Sequence, residues 1–97
     1  MAAYLIANVD VHDPAAFARY REAVTPLIAK FGGRYIVRGG AVENKEGDLG
    51  LKRLVVVEFP DMAAARAFYD SAEYAPVLKM REEAATSSLA LVEGYAG

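Results

Sequence analysis

Apolar and polar positions divide the chain into blocks that predict four strands and three helices, in the order β-α-β-β-α-α-β. The apolar, β-branched blocks predict strands over residues 3–11, 34–38, 52–59 and 88–95. The helices are predicted over residues 14–31, 62–69 and 70–85, each preceded or begun by an aspartate that can cap the first turn. Gly32-Gly33 ends the first helix, and Gly39-Gly40 predicts a bulge or bend before strand character resumes at residues 41–43.

Each half of the chain carries one strand–cap–helix unit. A shift of 48 residues places Val9-Asp10-Val11 on Val57-Glu58-Phe59 and Asp13 on Asp61, although chance agreement is an alternative, since capping aspartates are common. Two such units predict an α+β fold with the ferredoxin-like β-α-β-β-α-β arrangement. In that arrangement we expect the sheet order 4-1-3-2, with strands 1 and 3 central and parallel.

The period of two along the strands predicts two sheet faces, both largely apolar. The first face is expected to hold Leu5, Ala7, Val9, Val11, Tyr35, Val37, Val55, Val57 and Phe59. The second is expected to hold Tyr4, Ile6, Asn8, Asp10, Ile36, Arg38, Leu54, Val56 and Glu58. Because the helices can cover only one face, we expect a second copy of the chain to cover the other, which gives a homodimer.

Composition narrows the function classes. The 97 residues make one domain, residues 1–97, with 55% hydrophobic and 25% charged residues. A net charge of −2 argues against a nucleic-acid partner, and the apolar runs are too short for a membrane span. With no cysteine and one histidine, we expect no transition metal and no other bound cofactor. No basic segment of a signal peptide is visible at the N-terminus, so a cytoplasmic location is expected.

Four motifs, in this order, resemble the family known as domain of unknown function 1330. They are Arg38-Gly39-Gly40, residues 53–60 (RLVVVEFP), residues 68–74 (FYDSAEY) and Val92-Glu93-Gly94. The resemblance extends from Tyr4 to Gly94 and implies a dimeric α+β barrel, in which ferredoxin-like subunits pair through their sheets. That superfamily includes small monooxygenases, isomerases and proteins without known activity, so the resemblance transfers no particular reaction. Ala72 stands where relatives often have proline.

Three charged residues are the first candidates for chemistry. If strands 1 and 3 are parallel neighbours, Asp10 and Glu58 lie at the same height on one face of the sheet. Two carboxylates held close together raise the pKa of one of them, which is what a general acid at neutral pH requires. Arg38 is expected opposite Glu58 on the same face, near the N-termini of the helices. The alternative interpretation is a structural salt bridge at the end of the barrel.

Further candidates lie on the helices and on the first strand. Tyr20 and Tyr74 are phenols that can donate to a bound carbonyl or anion, and Arg81, on the side of Tyr74, can bind a carboxylate; each can equally be a core or surface residue. Asn8 either lines a pocket or is satisfied across a dimer seam, and His12 is either a proton shuttle or a loop residue.

Three functions remain open from the sequence. The first is a cofactor-independent enzyme in which Glu58, Asp10 and Tyr20 act on a small acidic or carbonyl compound in a helix–sheet cleft. The second is a non-catalytic dimeric module that binds a small ligand through Arg38, Asn8, Tyr74 and Arg81. The third is a polar cluster that only sets the register of the dimer.

Overall fold

A computed structural model describes residues 1–96 of the chain, which form a four-stranded sheet and three helices. The elements in chain order are β1 (Ala3–Val11), α1 (Pro14–Lys30), β2 (Arg34–Arg38), β3 (Leu54–Phe59), α2 (Met62–Tyr69), α3 (Tyr74–Ala84) and β4 (Ala85–Glu93). No helix in this part of the chain is long and apolar enough to cross a membrane.

The strands lie in the order β2-β3-β1-β4, which confirms the predicted ferredoxin-like sheet with β1 and β3 at its centre. The direction predicted for the central strands is wrong, because β1 and β3 are antiparallel, as are the other neighbouring pairs. In each half of the chain the helices lead over the sheet to a strand parallel to the one before them, so β2 is parallel to β1 and β4 is parallel to β3. Both lie at the edges of the sheet, on either side of the central pair. Antiparallel β1 and β3 then put equivalent residues of the two units at opposite ends of the sheet.

The helices cover one face of the sheet and enclose the core. That face presents Leu5, Ala7 and Val9 of β1 and Val57 and Phe59 of β3, all less than a tenth exposed. Helix α1 contributes Phe17, Val24 and Ile28, and the other helices contribute Phe68, Tyr74 and Val77. The period of two therefore predicted the core of the central strands correctly.

Local capping chemistry starts two of the helices. The side chains of Asp13 and Asp61 accept hydrogen bonds from the backbone N–H three residues later, at 3.1 and 2.7 Å. The capping box predicted at Asp70 is wrong: α3 begins at Tyr74, whose N–H bonds to the hydroxyl of Ser71 at 3.1 Å. Helix α3 also ends directly in β4, so that strand begins at residue 85 and not at 88.

A β-bulge lies within β2 and reverses the faces of its second half. Tyr35 is opposite Val57, whereas Val37 is opposite Val56 and Arg38 is opposite Val55. The predicted bulge at residues 39–40 is therefore three to four positions too late, and residues 41–43 form no strand. Beyond the bulge, Val37 lies on the open face and Arg38 on the face beneath the helices, the reverse of the prediction.

The other sheet face is open in the single chain and is apolar at its centre. Ile6 is 37% exposed, Ile36 46% and Val92 43%, and Leu54 and Val56 are half-buried beside them. Polar residues surround this patch, among them Asn8, Asp10 and Glu58. This face therefore has the apolar centre and polar rim that are typical of an association surface.

Candidate active site cavity

A cavity lies between the helices and the covered face of the sheet. Its volume is about 490 Å³ when the open solvent at its mouth is included. Its apolar lining comes from α1, from α2 and from the strands β1, β3 and β4, and consists of Leu5, Ala7, Val9, Phe17, Val24, Ile28, Val55, Val57, Phe68 and Leu89. The cavity is therefore a narrow, apolar slot that extends across the width of the sheet.

The polar lining of this slot is basic and phenolic. It consists of Arg21, Arg38, Arg53, Arg81, Tyr20, Tyr35 and Tyr74. No aspartate or glutamate of the described residues lines it. The whole chain has a net charge of −2, yet the cavity is lined by four arginines and no acidic residue of the described part of the chain. The cavity is therefore much more positive than the protein as a whole.

Arg81 on α3 is the most buried of these cations, with 7% of its surface exposed. Its Nη1 donates a hydrogen bond of 2.9 Å to the hydroxyl oxygen of Tyr74, about two turns earlier on the same helix. Its Nε is buried and has no hydrogen-bond partner. Within residues 1–96 no carboxylate forms a salt bridge with Arg81, so its charge is compensated only by a neutral phenol.

Tyr74 provides a proton donor beside Arg81. Burial raises the pKa of the Tyr74 phenol well above its ordinary value, and the nearby phenol of Tyr20 adds to the rise, which Arg81 opposes. Tyr74 is therefore neutral at physiological pH. Because its oxygen accepts a bond from Arg81, its proton can be donated to Tyr20 or to the oxygen of a bound molecule.

Three further arginines lie around the mouth of the cavity. Arg38 stacks on the Tyr35 ring at 4.3 Å and donates to the Thr25 hydroxyl at 3.2 Å, which attaches the end of β2 to α1. Arg53 lies 5.5 Å from the Phe17 ring centre, and its Nε is buried without a partner. Arg21 of α1 is half-buried. Neutral groups thus position Arg38 and Arg53 and leave their charges unpaired.

Burial also raises the pKa of Tyr35, although the Thr25 hydroxyl and the nearby arginines oppose the rise. The Tyr35 phenol therefore remains protonated at physiological pH. Together with Tyr74 it gives the slot a second hydroxyl that donates hydrogen bonds and does not act as a base.

The cluster of Asp10, Glu58 and Arg38 predicted at one end of the sheet does not exist. Glu58 is opposite Tyr4 on β1, while Asp10 is opposite Thr86 on β4, at the other end of the antiparallel pair. Glu58 instead forms a salt bridge of 2.9 Å with Arg34, and both carboxylates lie on the open face, away from the cavity. The predicted acid–base pair is therefore wrong: both carboxylates lie on the predicted face, but the antiparallel strands put them at opposite ends of it, and only Arg38 lies on the other face.

Asn8 and His12 are also engaged elsewhere. The Asn8 amide donates to the carbonyl of Gly50 at 3.0 Å and accepts from the N–H of Lys52 at 2.8 Å, so it holds the segment that leads into β3. His12 lies 2.7 Å from the Thr86 hydroxyl. Neither residue lines the cavity.

Four predicted site residues do meet in the cavity, namely Tyr20, Tyr74, Arg81 and Arg38. The sequence analysis missed Arg21, Arg53 and Tyr35. The strand predicted over residues 52–59 already contains Arg53, and its alternation places Arg53 on the covered face with Val55 and Val57. Nothing in the sequence marks Arg21 as more than a surface residue. No three metal-ligating side chains lie together in the described part of the chain.

The cavity, its basic lining and the ferredoxin-like sheet define a small α+β protein with a pocket on the helical side. Residues 2–95 match the family described as "Domain of unknown function (DUF1330)". The match covers nearly the whole chain, and the protein belongs to this family, as its motifs had indicated. No curated protein matches the chain.

Solved structures share the fold at low sequence identity. A protein of unknown function from Rhodopseudomonas palustris is 19% identical, with a TM-score of 0.73 over 99% of this chain and 84% of the other. SnoaB, a cofactor-independent oxygenase from Streptomyces nogalater, is 17% identical, with a TM-score of 0.65 over 99% and 95%. A dimeric ferredoxin-like protein of unknown function from Jannaschia sp. CCS1 is 14% identical, with a TM-score of 0.65 over 97% and 100%. These similarities establish the fold.

Proposed function

We propose that this protein binds a small organic anion with an apolar body in the slot between the helices and the sheet. The observation that carries the proposal is Arg81, a guanidinium that is 7% exposed and has no carboxylate partner. The aliphatic and aromatic floor would hold the body of the ligand. Arg81 and the Tyr74 phenol would bind a carboxylate or enolate oxygen at its inner end.

The energetics of a buried cation support an anionic ligand. Removing an unpaired charge from water costs several kcal/mol even after the protein relaxes. One bond to a neutral phenol recovers about 1.5–3 kcal/mol. The free site is therefore electrostatically incomplete, and an anion that bonds to the unpaired Nε and to the adjacent Nη2 would complete it.

We infer that any reaction in this slot depends on the stabilisation of negative charge on an oxygen of the substrate. The lining supplies cations and neutral phenols, but no histidine, aspartate or glutamate of the described residues that could act as a base. Asp10 and Glu58 are not proposed as catalytic groups, because they lie on the other face. A cofactor-independent reaction on an acidic or carbonyl compound is compatible with this lining, and SnoaB, which shares the fold, is described as a cofactor-independent oxygenase. Binding is the function that the geometry favours.

Calorimetric titration with benzoate and benzamide tests the proposal, since the two differ in charge but little in shape. We expect benzoate to bind the wild type and benzamide to bind at least about tenfold more weakly. Arg81→Met should abolish this preference. Arg66→Met on α2 is the matched control, because Arg66 is exposed and outside the cavity. Equal binding of both compounds by the wild type and by Arg81→Met would contradict the proposal.

We further propose that two copies pair through the open sheet face. The support is its exposed apolar centre at Ile6, Ile36 and Val92, together with neighbouring folds that are described as dimeric. Ile6→Lys places a charge at the centre of this face and should give a monomer in analytical ultracentrifugation. Ala63→Lys, an exposed position on α2, should leave the dimer intact. A wild-type monomer at micromolar concentration would contradict pairing.

We also infer a cytoplasmic protein without nucleic-acid or membrane partners. The supporting features are the absence of cysteine and the net charge of −2. Fractionation of cells that express the tagged protein tests the location.

A further inference from the structure

We infer that the ligand carries two anionic groups, one at each end of an apolar spacer. The inference rests on the proposed function and specifies its ligand class. Arg81 would bind one anionic group at the inner end of the slot. Arg38 and Arg53, with Arg21 beside them, would bind the second at the mouth.

The first argument is the shape of the slot. Its lining includes Arg38 and Tyr35 on the edge strand β2, residues of both central strands, and Leu89 on the opposite edge strand β4. Edge strands of a four-stranded sheet are about 14 Å apart, which is three strand spacings. Arg81 belongs to α3, which packs against α1 and leads into β4. The topology therefore places Arg38 on the β2 side of the apolar floor and Arg81 towards the β4 side, while Arg53 directly precedes the central strand β3.

The second argument is the incomplete bonding of the cations at the mouth. The Arg53 side chain lies against Gly39, where an added Cβ would be 2.5 Å from Nη1. Gly39 has a φ of 71°, a left-handed conformation that favours glycine, so this turn lets the Arg53 guanidinium lie close to the backbone. The Arg53 Nε is nevertheless buried and unbonded, and Arg38 bonds only to the neutral Thr25 hydroxyl. A carboxylate would provide acceptors for both guanidinium groups.

The charges around the mouth favour a second anion over a second neutral group. A shallow depression continues outward from the slot and shares Arg21, Arg38 and Arg53 with it. Glu22 is the one acidic residue that lines this depression, and it is exposed. Three positive charges against one exposed negative charge leave an excess of positive potential where the outer end of a ligand would lie.

The experiment compares heptanoate with pimelate, which have the same number of carbons but one and two carboxylates. Titrations are made at constant ionic strength with the wild type and with Arg81→Met, Arg38→Met, Arg53→Met and Arg66→Met. We expect pimelate to bind roughly ten- to hundredfold more tightly than heptanoate. That ratio of affinities corresponds to the free energy of one additional charge-assisted hydrogen-bonded pair. Arg38→Met and Arg53→Met should remove most of that advantage, because they weaken pimelate binding much more than heptanoate binding. Arg81→Met should weaken both ligands, and Arg66→Met neither.

Two further measurements sharpen the result. Glu22→Gln removes the acid at the rim and should strengthen pimelate binding without changing heptanoate binding. A series from succinate to suberate should show an affinity maximum at one chain length, because two fixed cations select one spacing. Arg53→Gln also removes the charge but keeps a polar side chain, and it replaces Arg53→Met if that variant folds poorly.

Equal affinity for heptanoate and pimelate would overturn the two-anion inference and leave the proposed binding of a single anion in place. The same holds if Arg38→Met and Arg53→Met weaken both ligands equally, or if affinity rises without a maximum along the series. If neither ligand binds and benzoate also fails to bind, the proposed function itself is wrong.

Discussion

Replacing Arg81 with methionine should stabilise the empty protein, although Arg81 is 93% buried. Burial of one cation costs several kcal/mol, and the bond from Arg81 to Tyr74 at 2.9 Å recovers about 1.5–3 kcal/mol. Methionine keeps the apolar stem of the side chain. It also removes a hydrogen bond to the Tyr74 hydroxyl, which costs about 1–2 kcal/mol of stability. The balance is a gain of about 1–2 kcal/mol in the free energy of unfolding, or about 5–10 °C in Tm.

Urea unfolding and thermal unfolding at one protein concentration measure this gain, and a shared slope m shows that the unfolded states are comparable. Arg66→Met, at an exposed position, should stay within about 0.5 kcal/mol of the wild type. Saturation with a bound anion should then reduce the stability difference between Arg81→Met and the wild type, or make the wild type the more stable. The reason is that a ligand at a hundred times its Kd adds about 2.7 kcal/mol to the free energy of unfolding of the wild type alone. A loss of stability in Arg81→Met that is the same with and without anion would refute the reasoning and make Arg81 a structural core residue.

Three other substitutions test separate parts of the structure. Glu58→Gln should leave benzoate affinity unchanged and lower stability by at most about 1 kcal/mol, since its partner Arg34 is 73% exposed; a loss of binding in calorimetry would return Glu58 to the site. The wild type should lose stability above about pH 10, where an unfolded tyrosine ionises but buried Tyr74 keeps its proton, and Tyr74→Phe should lose less in urea titrations at those pH values; equal losses would contradict the raised pKa. Asn8→Ala should accelerate hydrogen exchange at the N–H of Lys52, which now bonds to Asn8 at 2.8 Å; unchanged exchange would show that another contact holds this segment.

Local features of the fold were predictable because local chemistry determines them. Proline and aspartate at residues 13–14 and 60–61 start α1 and α2, and Gly32, with a φ of 82°, ends α1. The alternation along β1 identified its covered face without error. The exceptions are also local: the hydroxyl of Ser71, and not Asp70, bonds to the first turn of α3.

Strand direction and the bulge were not predictable, because both depend on pairing between distant segments. A repeat of the strand–helix unit is compatible with either direction of β1 relative to β3, and only the return path over the sheet selects the antiparallel one. The bulge between Tyr35 and Val37 falls in five residues without glycine or proline, so composition does not mark it. A one-residue slip of this kind moves every later side chain of β2 to the other face, and it carries Arg38 into the cavity.

These two features together determine the electrostatics of the cavity. The antiparallel pairing separates Asp10 from Glu58 and leaves both on the open face, where Glu58 is satisfied by Arg34. The bulge moves Arg38 in the opposite direction, to the helical side. Asp10 and Glu58 therefore stay on the face predicted for them, but without Arg38, and the covered face gains a cation. The acid–base pair predicted from the sequence is thus replaced by a slot lined by arginines without carboxylate partners among the described residues, and an anionic ligand is the partner that we propose for them.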